Sequence, residues 1–268
     1  MCIRDRFGGA WFPTKHEHVA QIAKDTEHFT SQGVIITDWR PDVPRPMGYA
    51  PPITSDPPFH AIARKLFLEF FSPKAIDAWE DTARETCREL IAEIKASGSD
   101  ITDAARDYAQ HIPVRVIADM LGLPREDGDR FRVFIHRILE EPGQNTVLEW
   151  EDTLDYYLDV KVKERRENLG EDLISYLCQA DIDGMPLADE HVRGSIALLL
   201  IAGIDTTWSG IGSSIWHMAQ HPEDRRRWIE DPDVQPFALE EFLRFYAPVT
   251  MARLCLLYTS DAADDETS

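Results

Sequence analysis

The 268-residue chain carries 28 Lys and Arg against 48 Asp and Glu, a net charge of −20, and 43% of its residues are hydrophobic. That size and apolar content suit a globular protein with a sizeable core, and the acidity argues against nucleic acid or an anionic membrane surface as a partner. Four cysteines without regular spacing point to a reducing compartment and not to a disulfide framework.

No run reaches the roughly 20 apolar residues of a bilayer span. The best stretch, Ile196 to Ile204, is short and is followed by Asp205. The amino terminus lacks a basic segment followed by an apolar one, so no signal peptide is read. The expectation is a cytoplasmic monomer with no membrane attachment.

The two ends carry a signal of their own. Met1 to Arg6 can be encoded by ATG TGT ATA AGA GAC AG, whose reverse complement encodes Cys255-Leu256-Leu257-Tyr258-Thr259 and opens the codon of Ser260. Opposite strands of one DNA element at both ends resemble a transposon-end adapter. The alternative is an ordinary start and an acidic tail. Residues 1–6 and 255–268 are therefore set apart from fold reasoning as non-native ends, leaving 7–254 as one partial domain. Cys87 and Cys178 remain as natural thiols.

In chain order, Lys15 to Phe29 has apolar residues at helical spacing, and Ser31 to Pro58 reads as a long irregular connection with short strands around Val34 to Ile36. The pattern turns helical again from Pro57 to Phe71. Ser72-Pro73 looks like an N-cap followed by proline at the first helical position. The helix it opens carries Ile76, Trp79, Ala83, Cys87, Leu90, Ile91 and Ile94 as a stripe and ends at Gly98. Further helices are predicted over Tyr108–Leu121, Asp127–Glu140, Val147–Asn168 (heavily charged and solvent-facing) and Asp172–Ala180. Leu187 to Gln220 is the longest helical stretch, apolar on nearly all sides between Ile196 and Ile204, which calls for burial. His221-Pro222 stops it, and Glu240 to Phe245 begins or continues another helix. The fold class is mainly α, with few short strands and no large sheet.

Ala202-Gly203-Ile204-Asp205-Thr206-Thr207 interrupts the apolar helix with residues that are poor helix formers. Such local conflicts concentrate at functional sites. Gly203 removes a side chain so that something flat can approach the backbone. Thr206 can hydrogen-bond a carbonyl one turn back and loosen the ladder. A buried Asp205 needs a partner or a raised pKa. A carboxyl and a hydroxyl beside a cleared patch can pass protons to a bound species; the plainer reading is a kinked core helix with Asp205 capping a second segment.

The segment resembles [AG]-G-x-[DE]-T-[TS], the pattern of the long central helix of the cytochrome P450 family. The resemblance implies that Ala202 and Gly203 lie over a haem face, and that Asp205 and Thr206 are the catalytic pair delivering protons to dioxygen. Glu241-Phe242-Leu243-Arg244 is similar to the family's E-x-x-R, a structural pair; on spacing alone it is an ordinary surface ion pair. Asp56-Pro57-Pro58-Phe59-His60-Ala61-Ile62-Ala63-Arg64 resembles D-P-P-x-H-x-x-x-R. Four residues apart on a helix, His60 and Arg64 share one side and suit an anionic group, which the resemblance identifies as a haem propionate. Arg253 matches a further propionate-binding arginine.

The resemblance covers almost all of residues 7–254 and implies the N-terminal and central part of the P450 fold. It departs at one point: no F-x-x-G-x-x-x-C-x-G loop occurs, so the axial cysteine is absent and there is no metal ligand. Cys87 and Cys178 read as small core residues, and without a thiolate the chain as given is expected to be inactive. For the parent enzyme, the resemblance implies a haem b monooxygenase that takes electrons from a ferredoxin- or flavodoxin-type donor. It would insert one oxygen atom of O₂ into a small apolar organic substrate. Arg64, Lys65, Arg84 and Arg88 are candidates for the donor-facing patch, and 41–53 and 131–150 for the substrate pocket. Peroxide-driven relatives typically lack the acid–alcohol pair, so Asp205-Thr206 disfavours that variant. The rival from another class is an all-α ligand-binding or scaffold protein without haem chemistry.

Overall fold

Helices dominate, as the periodicities predict. The computed structural model describes residues 2–3, 10–33, 49–140, 149–249 and 253–255. The elements are β1 (Cys2–Ile3), β2 (Ala10–Trp11), α1 (His16–Lys24), β3 (Phe29–Thr30), α2 (Phe59–Lys65), α3 (Pro73–Asp77) and α4 (Glu80–Ala96). After these come α5 (His111–Leu121), α6 (Gly128–Ile135), α7 (Leu154–Glu167), α8 (Leu173–Gln179), β4 (Asp181–Ile182) and β5 (Met185–Pro186). The chain continues with α9 (Asp189–Gln220), α10 (Pro222–Glu230), α11 (Gln235–Tyr246) and β6 (Leu254–Cys255). The strands form antiparallel pairs β1–β2, β3–β6 and β4–β5, with Phe29 opposite Cys255 and Thr30 opposite Leu254. The strands expected around Val34–Ile36 lie outside the described residues.

Two compact units emerge. The first comprises residues 1–69, 136–198 and 251–268; the second comprises 70–135 and 199–250. In the first, α7 and α8 pack together, burying Leu154, Tyr157, Leu158 and Val162 of α7 with Leu173, Ile174 and Leu177 of α8. Asp172 caps α8 by accepting from the Ser175 backbone N–H at 2.8 Å. The start of α9 is fastened in the same unit: Arg193 donates to Asp159 of α7 at 2.9 Å, and Arg166 of α7 donates to Asp189 at 3.1 Å. One expectation is corrected here. The charged stretch around α7 is not simply solvent-facing, because its apolar residues recur at helical spacing beneath the more numerous charges.

In the second unit the core gathers Leu90 of α4, Val114, Ile117, Ala118 and Leu121 of α5, and Phe131, Phe134 and Ile135 of α6. Ser72 caps α3 as its sequence predicts, accepting from the Ala75 N–H at 3.3 Å. The helix it opens is short, however. The chain tightens at Trp79, whose N–H donates to the Ile76 carbonyl at 2.9 Å, and α4 restarts with Glu80 and Asp81 at its positive end. A turn of π-helix precedes α5, and Gly122 at φ 68° ends it in the left-handed region, where glycine carries no Cβ penalty. His221-Pro222 stops α9 as expected, but α10 begins at once. The sequence PEDRRRWIE has too few apolar residues to announce a helix by periodicity. The following helix, α11, starts at Gln235, five residues before the expected Glu240.

α9 runs unbroken for 32 residues, and one 18-residue window has a mean hydropathy of 1.4. By length and composition it could cross a bilayer, contrary to the expectation that no stretch approaches that limit; 44% of the window is buried within the protein. Ile196, Leu200 and Ile204 are almost fully buried.

The first turns of α9 are fitted to the segment ahead of α2. A Cβ on Gly194 would lie 2.0 Å from the Tyr49 carbonyl oxygen. The Ser195 hydroxyl donates to the Pro51 carbonyl at 3.4 Å, and His191 stands edge-on to Tyr49 and Phe59 with its Nδ1 3.3 Å from the Tyr49 hydroxyl. Gly194→Ala is expected to cost at least about 1–3 kcal/mol in urea unfolding, because the Tyr49 backbone must move aside. Burial also pushes the His191 pKa below its ordinary 6.5. Between that lowered value and 6.5 the unfolded chain binds more protons, so stability is lost as pH falls. The melting temperature should therefore drop between about pH 7 and about pH 5. His191→Phe should flatten part of that slope in calorimetry; His111, also lowered by burial, retains the rest.

Candidate active site

The central helix presents its unusual residues on different faces. Ile204 is buried at 0% exposure, whereas Ala202 is exposed and Asp205 and Thr206 are half-buried. One turn apart, Ala202 and Thr206 share a face, and the Thr206 hydroxyl donates to the Ala202 carbonyl at 2.8 Å. This is the back-bond that the sequence predicts, and α9 accommodates it without a break. A Cβ built on Gly203 would meet Cδ1 of Ile117 on α5 at 3.4 Å, an ordinary van der Waals contact, while Ala202 and Thr206 share the open side of the helix.

In the same unit, Arg244 of α11 grips Glu241 with two parallel bonds, Nε to Oε2 and Nη2 to Oε1, both at 2.7 Å. Hydrogen bonding by the guanidinium holds the Glu241 carboxyl below its ordinary range and raises Arg244 in turn. Both side chains are exposed, and the pair lies within one helix. The sequence missed a second polar cluster that fastens this region. His217 of α9 meets the Tyr246 hydroxyl of α11 at 2.8 Å through Nδ1 and Asp224 of α10 at 3.0 Å through Nε2. In the neutral ring the carboxylate selects the proton on Nε2, leaving Nδ1 to accept from the tyrosine. His217 and Tyr246 are 29 positions apart, which leaves no local pattern to find.

The remaining predicted residues lie in the first unit. His60 and Arg64 sit one turn apart on α2, His60 half-buried and Arg64 exposed. Neither side chain has a hydrogen bond or ion pair among the described residues. In a chain of net charge −20, two neighbouring donors without a carboxylate partner fit an anionic group of a ligand. Arg253 donates to the Ser31 hydroxyl at 2.7 Å, and the Ser31 N–H donates to Asp56 at 2.8 Å. The Thr30 hydroxyl donates to the other Asp56 oxygen. Burial alone would raise the Asp56 pKa; the bonds from Thr30 and Ser31 and the Arg253 charge outweigh it and hold the carboxyl below its ordinary 3.8. The ladder between β3 and β6 thus carries Arg253 to the residue that opens the α2 segment. Asp56 was legible only as the first letter of its motif.

Other expectations meet the structure unevenly. Cys178 is buried and Cys87 half-buried, consistent with core thiols. Arg84 pairs with Glu80 at 2.5 Å and Arg88 with Glu85 at 3.6 Å, so their charges are compensated on α4 itself. Of the stretches expected to line a substrate pocket, residues 41–48 and 141–148 lie outside the described residues. Phe131, Phe134 and Ile135 pack into the core of the second unit instead.

Residues 128–233 match the family model for cytochrome P450. The chain is 31% identical over 253 residues to a vitamin D(3) 25-hydroxylase of Pseudonocardia autotrophica, covering 91% of this chain and 60% of the relative. It is 31% identical to an erythromycin C-12 hydroxylase of Saccharopolyspora erythraea, covering 91% and 61%. Among solved structures, a Bacillus megaterium cytochrome P450 in complex with testosterone superposes with a TM-score of 0.76 at 30% identity, covering 91% of this chain and 63% of that one. The chain therefore spans about 60% of the length of the curated relatives it matches.

The anchoring role of Asp56 is testable by substitution. Asp56→Asn should lower unfolding stability by about 1.5–3 kcal/mol, the value of hydrogen bonds to a charged group. For the native chain, this contribution is present above pH 3.8 and is lost as pH falls below it. Acid titration followed by circular dichroism should show that loss shrinking in the variant.

Proposed function

We propose that this chain, which matches cytochrome P450s over most of its length, is part of a haem b monooxygenase of that family that inserts one oxygen atom of O₂ into a small apolar organic substrate. The observation that carries this reading is the Thr206–Ala202 hydrogen bond on the open face of α9, with Asp205 beside it. When bound, haem supplies the activation of dioxygen. The chain's own residues supply the holding groups and the protons. Ala202 and Gly203 offer a surface without bulk for the flat group. His60 and Arg64 would grip the propionates as paired donors, with Arg253 as a third.

Thr206 has a poised hydroxyl. Its proton rests on the Ala202 carbonyl, which leaves its oxygen lone pairs open to accept another. Rotation about one bond turns the same hydroxyl from the carbonyl toward a ligand on the open face. Asp205 is the neighbouring acid that can reload it. Glu241 and Arg244 act structurally, stiffening α11. The axial thiolate is not among this chain's residues, so catalysis requires the longer parent. A ferredoxin- or flavodoxin-type protein would deliver the electrons. With Arg84 and Arg88 already paired on α4 and Arg64 given to the propionates, Lys65 is the stronger candidate for its acidic surface. We also propose that residues 1–6 and 255–268 are foreign to the parent enzyme and that it works in the cytoplasm.

The decisive measurement is the reduced carbon-monoxide difference spectrum of the protein from the complete gene. A Soret band characteristic of thiolate ligation is expected, and a protein that binds no haem would replace this reading with an all-α ligand-binding or scaffold role. In that enzyme, Asp205→Asn should reduce product formation by on the order of 100-fold while leaving the spectrum unchanged. Loss of the spectrum along with activity would make Asp205 structural.

A further inference from the structure

One buried group at the start of α9 is only half satisfied. His191 is 6% exposed, yet its Nε2 has no hydrogen-bond partner among the described residues. Its Nδ1 lies 3.3 Å from the Tyr49 hydroxyl, and its ring stands edge-on to Tyr49 and Phe59 at centroid distances of 5.9 and 5.8 Å. In the neutral ring Nδ1–H can donate to the tyrosine oxygen, which leaves Nε2 as a lone pair without a donor. A second proton upsets that balance. The imidazolium has two N–H donors with one acceptor in reach, and its charge sits among aromatic rings away from water.

The charged and titratable groups nearby do not offset that charge. Tyr49 stays neutral, because burial and the Glu190 charge raise its hydroxyl above the ordinary 10. On α9, Asp189 and Arg193 are taken up by Arg166 and Asp159 of α7, and Glu190 is exposed. Asp56 is held by Thr30 and Ser31, and His60 follows Phe59 on α2. Burial lowers His191 below its ordinary 6.5, and no carboxylate counters it.

What the ring holds is a short strap ahead of α2. Ala50, Thr54 and Ser55 are buried in it, but its own bonds are few. The Ala50 N–H donates to the Thr54 hydroxyl at 3.0 Å, and the Thr54 N–H to the Ala50 carbonyl at 3.2 Å. A single turn of this kind is unstable by itself in water. The strap stays in place through Tyr49 on His191, the Ser195 bond to Pro51 and the close seat of Tyr49 on Gly194.

We infer that His191 is a proton-operated latch: neutral, it closes residues 49–55 on the first turns of α9, and protonated, it leaves its pocket and releases them. The release is local, since the Asp56 anchor and the packing of α7 on α8 are held by other residues. Phe59 loses its edge contact in the same event, and His60 is the next residue, so acid loosens the entry to α2. The inference does not rest on haem chemistry.

Amide exchange followed by NMR on this chain, at about pH 7.5 and about pH 5.5, tests the latch. After correction for intrinsic rates, protection at Ala50, Thr54 and Ser55 should fall as pH drops below 6.5, by at most about tenfold per pH unit for one proton. Protection in α7 and α8 should hold. His191→Phe keeps a ring against Tyr49 and Phe59 but takes no proton, so its strap should stay protected at both pH values. Should that variant fail to fold, titration of the His191 ring in the native chain gives the same reading: its midpoint should lie below 6.5 and coincide with the loss of strap protection. Equal loss of protection in α7 and α8 would overturn the inference. So would a strap response that survives in His191→Phe, or a His191 midpoint at or above 6.5.

Discussion

Everything in this chain is arranged around the need to keep one 32-residue helix intact while it carries residues that weaken helices. α9 lends Val192 and Ile196 to the core of one unit and Leu200, Ile201 and Ile204 to that of the other. Its continuity through Gly203, Asp205 and Thr206 therefore cannot come from local propensity, which those residues lower. It comes from packing: Ile117 against the glycine, Ile204 fully buried beside the acid, and the Thr206 hydroxyl returned to the Ala202 carbonyl. The same packing divides the helix surface, so that the small residue and the hydroxyl are left together on its open side.

The residues singled out in the two units, each taken by itself, are of two electrostatic kinds. Glu241, Arg244 and Asp56 are settled: each is held by named partners that fix its charge state. His60 and Arg64 have no such partner among the described residues, although acidic side chains outnumber basic ones across the chain. Charges already satisfied within the protein build the scaffold, and unsatisfied ones are available to a ligand.

Much of this was legible from local spacing. The Ser72 cap, the Thr206 back-bond, the Glu241–Arg244 pair and the stop at His221 all depend on residues within four positions of each other, the range over which a helix writes its rules. What escaped was long-range or hidden by composition. The His217–Tyr246 bond and the Ser31–Arg253 link join residues 29 and 222 positions apart. The buried stripe of α7 and the whole of α10 were masked by charge.

The fit of Gly194 and Ser195 against Tyr49 and Pro51 joins residues 144 positions apart across the Ser195–Pro51 bond. The unit that contains it is assembled from three stretches of chain, whereas α4, α5 and α6 of the other lie close together in sequence. On a ribosome, the helices α4 to α6 can meet as soon as they emerge. The segment from Tyr49 to Pro51 must wait, unmatched, while more than a hundred further residues are synthesised. The order of translation thus makes α9 the late arrival on which the earlier-made segment depends, and the contact between them closes a loop of more than a hundred residues.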